Sequence, residues 1–323
     1  MTSLAVSLDE FLLSLCRPNG QLRQLLTAVP SNVDASSLSD VQAELSGLCG
    51  ACSTETTKCS LLFKNVSAVS ETSAVPLLEH LQRIVVGLVL TAARLAAHES
   101  AARVLRRECV RRAHATLDVV ASFVSAARDR LVSVSAIDVE TIGAVFAATE
   151  NLQLLCSASA NRVVAAAFLK NVAALVKDAR TDLDDMILIE DDDDDDEQFE
   201  DDEADADFRD VAMNDDERRR AVACVSLINC CGVVALAALS MVSDSATTND
   251  AVCEGAVRLS EVVDNLTAAL CPPQVDAAVD AAAAELTQTV ERWGASLVSQ
   301  PTIAVSTVAT VRAALTKLAA LRQ

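Results

Sequence analysis

The chain has 323 residues, of which 51% are hydrophobic and 22% are charged, so it has enough apolar side chain to fold rather than remain disordered. Only 2% of the residues are aromatic, and the small numbers of glycines (8) and prolines (6) disfavour a sheet protein with many tight turns. The formal net charge of −20 makes nucleic acid and anionic membranes unfavourable partners.

The first segment, MTSLAVSLDEFLLSLCRPNG, has no basic region before its apolar residues, and Asp9 and Glu10 interrupt it. We expect it to form an amphipathic helix and not a signal peptide. The chain has 11 cysteines, an odd number that includes the adjacent pair Cys230 and Cys231. This pattern favours reduced thiols used as small core residues over a disulfide framework. We therefore expect a cytosolic or nuclear protein.

Apolar residues recur at intervals of three and four through residues 1–189, and this spacing predicts about five long helices. Pro76 stands where the first turn of a helix tolerates proline, and Asp138 stands at a position suited to an N-cap. In the last of these helices, Val172, Leu175 and Val176 are predicted to be buried. The predicted helices cover residues 38–70 (as one helix or two), 76–98, 100–134, 138–155 and 159–188.

Residues 190–207 read EDDDDDDEQFEDDEADAD and include 14 acidic residues and no basic one, which leaves about −6 of the −20 on the rest of the chain. Such a segment cannot bury enough apolar area to offset the entropy of ordering. It predicts a disordered linker over residues 190–213. The run is either a solubilising linker or a docking segment for basic proteins. Its candidate protein-binding residues are Asp191, Asp192, Asp193, Asp194, Asp195, Asp196 and Glu197.

Helical spacing resumes after this segment and predicts four more helices, separated by Cys271–Pro273 and by Pro301. The sequence therefore predicts an all-α protein made of two helical bundles, residues 1–189 and residues 214–323, joined by the acidic linker. The four predicted helices cover residues 216–242, 248–270, 275–299 and 302–321.

The stretch from Ala221 to Val242 contains 22 residues without a charge and is long enough to span a bilayer. Its polar and small residues Ser226, Asn229 and Gly232, and the absence of flanking tryptophan or tyrosine, favour a helix buried nearly all round in a bundle. We expect no membrane partner.

Sequence signatures of catalysis are absent. The scattered glycines exclude the usual dinucleotide and P-loop signatures, and His80, His98 and His114 lack the spacing of metal ligands. Cys49 and Cys52 form one CGAC spacing, which could belong to half a zinc site or a redox pair, but a structural thiol pair is favoured. The sequence predicts no enzyme, no metal and no cofactor.

A basic strip on the predicted helix 100–134 is the second candidate binding site. Its arginines recur at spacings of three to five, together with Arg112, and could meet an acidic peptide or phosphates or could simply form a solvated face. Without interleaved aromatic residues, direct binding of nucleic acid is not expected. The candidate residues are Arg103, Arg106, Arg107 and Arg111.

Three blocks of sequence, in order, resemble the cyclin-D-interacting (cyclin-D-binding) protein family. The first is VLRRECVRRAHATLDVVASFVSA, the second is IGAVFAATENLQLL with ANRVVAAAFLKNVAALVKDARTDLDDM, and the third is VRLSEVVDNLTAALCPPQVDAAV. The resemblance covers about residues 55–300. Its most specific positions are Gly143, Ala144, Val145, Phe146, Lys170, Asn171, Val172, Val176, Lys177, Asp178, Ala179, Pro272 and Pro273.

The resemblance implies an all-helical, non-enzymatic regulator that binds cell-cycle and transcription proteins through protein–protein contacts. It implies a negative regulator of cyclin-D-dependent output in the nucleus and cytoplasm. The sequence shows no basic region of the helix-loop-helix type, so DNA binding is not carried over. Two other functions fit the composition: a helical scaffold like vinculin and the catenins, and an acidic chaperone for histones or other basic proteins.

Overall fold

The computed structural model describes residues 2–16, 21–27, 36–64, 71–132, 137–188, 213–299 and 305–320. Within these ranges every regular element is helical, so the protein is all-α, as the sequence predicts. Contacts divide the chain into two compact units. The first is Met1–Val164 with Asp244–Ala246, and the second is Ala165–Ser243 with Thr247–Gln323.

Eleven α-helices are found in the described residues, and a 3-10 turn at Leu154–Cys156 follows the sixth. The boundary between the two units falls within the seventh helix. In chain order the helices are α1 (Thr2–Cys16), α2 (Gln21–Thr27), α3 (Leu38–Lys64), α4 (Glu71–Ala97), α5 (Arg103–Val132), α6 (Val139–Gln153), α7 (Ala160–Leu188), α8 (Asp215–Leu239), α9 (Ala246–Ala269), α10 (Asp276–Val298) and α11 (Val305–Ala320).

The described residues before 189 contain seven helices rather than about five. The helix α2 was not predicted, because its 7 residues are too few to show helical periodicity. Pro76 does not lie in a first turn, since α4 begins at Glu71. At this position Pro76 removes the one backbone hydrogen bond that its own amide would donate, and the amides of the first turn before it have no partner within the helix in any case. The predicted linker, residues 190–213, lies outside the described residues except for Met213, so that prediction stays untested.

The core of the first unit lies where α3 packs against α4 and α6, and where α5 packs against α1, α4 and α6. Its filling side chains are leucines, phenylalanines and cysteines, with Phe63 and Phe123 fully buried. Gln42 is buried as well, and its side-chain amide donates to the carbonyls of Leu155 and Ser157, each at 3.0 Å. These bonds tie the 3-10 turn after α6 to α3. As predicted, the Asp138 side chain caps α6 by accepting from the Thr141 amide.

In the second unit, α8 packs against α10 and α11. Asn214 and Glu217 form a capping box at the start of α8, in which each side chain accepts from the other residue's backbone amide. Trp293, the single tryptophan, is buried, and its indole Nε1 donates to the Val252 carbonyl oxygen at 3.1 Å, which joins α10 to α9.

Candidate protein-binding site

The basic strip predicted from the sequence lies at the start of α5. Arg103 and Arg107 are exposed, and Arg106 is half-buried. The Arg106 guanidinium donates to two carbonyl oxygens of the preceding loop, to Ala101 at 2.7 Å and to Glu99 at 3.1 Å. Arg106 therefore holds its own loop in place and is not simply a surface charge.

Glu108 neutralises much of the remaining strip. Arg111 donates two hydrogen bonds to this carboxylate, at 2.6 and 2.7 Å, and Arg112 Nε donates a third at 2.7 Å. Arg111 is the main cause of the lowered pKa of Glu108, against the effect of partial burial. Arg112 also donates to the Asn151 carbonyl. The strip thus offers less uncompensated positive charge than its sequence indicates. The second predicted site, Asp191–Glu197, lies outside the described residues.

The CGAC pair faces the core of the first unit. Cys49 and Cys52 are both buried, and burial is the main cause that raises the pKa of both thiols, that of Cys52 to about 11. Among the described residues, no group of three or more histidines, cysteines, aspartates and glutamates could hold a metal ion. Thiols with raised pKa values are poor nucleophiles at neutral pH.

Cysteine reactivity gives a direct test of this interpretation. Among the cysteines whose side chains are described, Cys271 alone is exposed. We expect iodoacetamide at about pH 8 to label Cys271 well before Cys49 and Cys52, because only the thiolate reacts and burial disfavours it. Mass spectrometry of labelled peptides measures the order, and a Cys271→Ser variant identifies the fast site. Labelling of Cys49 or Cys52 as fast as Cys271 would mean that the CGAC pair is reactive.

A buried carboxylate lies between α3 and α4. The Glu55 side chain is 4% exposed, accepts from Lys58 Nζ at 2.9 Å, and lies 3.1 Å from Nδ1 of the exposed His80. Burial acts to raise the pKa of Glu55, but the hydrogen bonds from Lys58 and His80 outweigh it, and the pKa is lowered. Lys58 and His80 supply hydrogen-bond partners for the Glu55 carboxylate, so the cluster is a structural ion pair.

The apolar helix α8 is not buried nearly all round, and this prediction is wrong. Val222, Val233 and Leu236 expose 54%, 42% and 59% of their surface. Neighbouring helices cover one part of the surface of α8, and the remaining apolar part is exposed to solvent. A run without charges contains no information about which side is covered, so the sequence could not reveal this.

Among the described residues, two single helices have the length and composition to cross a membrane. They are Thr72–Ala97 in α4 and Asp215–Leu239, which is α8, with mean hydropathies of 1.4 and 2.4 over their most apolar windows. The shares of these windows buried inside the structure are 44% and 39%. Each also places large side chains in the core of its unit, such as Leu88 in α4 and Ile228 in α8. The expectation of no membrane partner stays a prediction.

The open side of α8 forms one wall of a groove, and α7 forms the other. The groove has a volume of about 430 Å³, and its lining is almost wholly apolar. A Cβ atom added at Gly232 would lie 3.8 Å from Val176 Cγ1, so the two helices approach closely at this point. We call this feature the α7–α8 groove. It is lined by Ala173, Ala174, Val176, Lys177, Arg180, Ile228, Asn229, Gly232, Val233 and Leu236.

The α7–α8 groove could not be recognised from the sequence. Val172 and Val176 are buried as predicted, but Leu175 is 50% exposed, so the apolar stripe of α7 is wider than the part that is covered. The small residues Ala173 and Gly232 were the available signal, but small residues alone do not show which helices lie beside each other.

No protein-family model matches the chain, and no curated protein sequence matches it.

Proposed function

We propose that this protein is a non-enzymatic regulator that binds other proteins, and that the α7–α8 groove receives an amphipathic helix of the partner. The single observation that carries the proposal is the apolar groove between two described helices, with Val233 and Leu236 open to solvent on its α8 wall. Helix-in-groove binding uses this kind of surface, because one apolar stripe of a helix fits between two others.

The dimensions of the groove suit a helix. Its α7 wall extends from Ala173 to Arg180, two helical turns, which is a length of about 10 Å. Two turns of a partner helix present apolar side chains at intervals of three and four on one face. Gly232 belongs to the groove lining and has no side chain, so it adds no bulk to the groove. A long apolar groove of this kind has few polar groups that could orient a small polar substrate.

The energetics also favour a partner helix at this place. Complete burial of a leucine or valine side chain contributes about 1.5–3 kcal/mol, so covering the exposed halves of Leu236 and Val233 contributes about 1 kcal/mol each. The buried thiols and the absence of catalytic sequence signatures support a binding function rather than an enzyme.

The resemblance to cyclin-D-interacting proteins names the class of partner. On that basis we propose cell-cycle and transcription regulators as partners, and negative regulation of cell-cycle progression as the outcome, in the nucleus and cytoplasm. A purified cyclin of the D type is the first partner to titrate against the protein by calorimetry. The absence of heat of binding would remove this partner class without excluding other helices from the groove.

A single substitution tests the groove itself. We expect Leu236→Asp to weaken binding of a fluorescent amphipathic helical peptide by about tenfold or more, because it places a charge in an apolar contact. Fluorescence anisotropy with the full chain measures the dissociation constant.

Val222→Asp is the matched control, since Val222 lies on the same helix, is 54% exposed and is not part of the groove lining. It should leave the dissociation constant within about twofold. Equal binding by both variants and the unaltered protein would remove the groove from the proposed function.

A further inference from the structure

The two walls of the α7–α8 groove differ in charge. The α7 wall contributes Lys177 and Arg180, whereas the α8 wall contributes no charged side chain. No charged residue occurs between Ala221 and Val242, so α8 lacks charged side chains well beyond the part that lines the groove. A helix bound there would have one flank against two cations and the other flank against neutral residues.

Both cations have capacity for a partner. Lys177 is exposed and forms no ion pair with any residue in the described part of the chain. Arg180 Nε lies 3.2 Å from Asp184 Oδ2, but the two side chains are 48% and 42% exposed. Exposed pairs of this kind contribute little, because water and salt screen them and holding both side chains in one geometry costs entropy. Arg180 can therefore exchange Asp184 for a carboxylate on a partner.

The spacing of the two cations defines the complementary sequence. Residues three apart lie on the same face of a helix, with Cβ atoms about 5–6 Å apart. Two carboxylates at i and i+3 or i+4 on a partner helix have a matching separation. The partner's apolar stripe would lie on the floor of the groove, and the acidic pair would lie along the edge facing α7.

The net negative charge of the chain repels an acidic helix, whereas Lys177 and Arg180 attract it. The distance of each charge from the groove decides which of these two effects is larger. The formal charge of −20 repels an acidic partner, but 14 of the acidic residues lie within 190–207 and about −6 remains elsewhere. Charges further away than about 8 Å are largely screened at 0.15 M salt. Lys177 and Arg180 belong to the groove lining, so both lie within this distance of a helix placed in the groove and would decide its preference at physiological salt.

We infer that the α7–α8 groove selects amphipathic helices with a pair of acidic residues on the flank facing α7. The inference rests on the proposed function, since it specifies the chemistry of the same partner. A basic or neutral flank loses the two contacts, and a basic flank adds like-charge repulsion.

Three peptides with one identical apolar stripe test the inference against the full chain. The flanking pair is glutamate in the first peptide, glutamine in the second and lysine in the third. We expect the glutamate peptide to bind about fivefold more tightly than the glutamine peptide at about 0.15 M salt, and the lysine peptide to bind most weakly. In the double variant Lys177→Glu/Arg180→Glu this order should reverse.

A charge-matched double variant, Arg219→Glu/Arg312→Glu, is the control. Both arginines are exposed and lie outside the groove lining, and the variant changes the net charge by the same amount. It should retain the preference for glutamate. Circular dichroism melting curves check that both double variants fold.

The outcomes separate the inference from the proposed function. Equal binding of all three peptides would overturn the acidic-flank inference and leave a helix-binding groove. Binding of none would overturn the proposed function as well. A dimer in sedimentation velocity that Leu236→Asp dissociates would overturn the inference by placing a second copy of the chain in the groove. Flotation of the protein with phosphatidylcholine vesicles, if Leu236→Asp abolishes it, would also overturn the acidic-flank inference, because lipid would then occupy the groove.

Discussion

Replacing Trp293 with alanine will lower the free energy of unfolding by about 3–5 kcal/mol, the cost of removing a large side chain from a packed core. Trp293 is 3% exposed, and its indole Nε1 donates to the Val252 carbonyl. The substitution removes the hydrogen bond and leaves a cavity between α9 and α10. Urea unfolding followed by far-ultraviolet circular dichroism measures the loss, because tryptophan fluorescence is absent from the variant.

Gly255 provides a second test of the same contact. A Cβ atom added at Gly255 would clash with the indole ring of Trp293, so Gly255→Ala forces the indole to move. Overpacking of this kind costs about 1–3 kcal/mol, more than the gain of about 1 kcal/mol in helix propensity. In the Trp293→Ala background the clash is gone, and Gly255→Ala should become neutral or stabilising. A double-mutant cycle measures this change of sign.

Val275→Ala is the control for the tryptophan series. Val275 is 63% exposed, and its truncation should change the free energy of unfolding by less than about 0.5 kcal/mol. A loss of under about 1 kcal/mol for Trp293→Ala would contradict the packing of α9 against α10 through this residue.

The fold class could be predicted from local sequence because helices have local signals. Leu81, Leu88 and Leu95, spaced at seven residues in α4, are all buried as their periodicity indicates. Asp138 caps α6 where an aspartate precedes the apolar pattern. These features depend on residues within a few positions of each other, so a single sequence suffices to recognise them.

The contacts that form the candidate site could not be predicted, because they join residues that are distant in sequence. The α7–α8 groove depends on Val176 lying beside Gly232, and the core of the second unit depends on Gly255 lying beside Trp293. Periodicity shows that a helix has an apolar stripe but not which helix covers it. In α5, Ala115 lies among the apolar residues of the helix and is nevertheless exposed.

Glu217 combines a local signal that the sequence shows with a contact to a residue that is distant in sequence. Its place three positions after Asn214 is the sequence signal of a capping box. The structure adds a long-range partner: Glu217 Oε1 accepts from the Gln274 backbone amide at 2.7 Å, while Oε2 accepts from the Asn214 amide at 3.0 Å. The carboxylate therefore joins the start of α8 to the loop before α10. Glu217 is buried at this junction, with only 6% of its surface exposed.

We expect Glu217→Ala to lower the free energy of unfolding by about 2–3 kcal/mol at neutral pH, because two backbone amides lose a charged acceptor in a buried place. Glu217→Gln should cost less, since one amide oxygen can still accept. Urea unfolding at about pH 7 measures both losses. Glu261→Gln is the control, since Glu261 is 54% exposed in its ion pair with Arg258, and the change should cost less than about 0.5 kcal/mol.

The pH dependence of the Glu217→Gln effect distinguishes a charged acceptor from a packing role. The hydrogen bond from the Gln274 amide is the main cause that lowers the pKa of Glu217 in the folded protein, with the Asn214 amide second. A carboxyl whose pKa is lowered on folding stabilises the protein above its unfolded pKa, about 4.5, and loses that contribution as the pH falls through the folded value. The difference in unfolding free energy between the unaltered protein and Glu217→Gln should therefore decrease between about pH 5 and pH 3. A difference that stays constant over this range would mean that Glu217 acts through its shape alone.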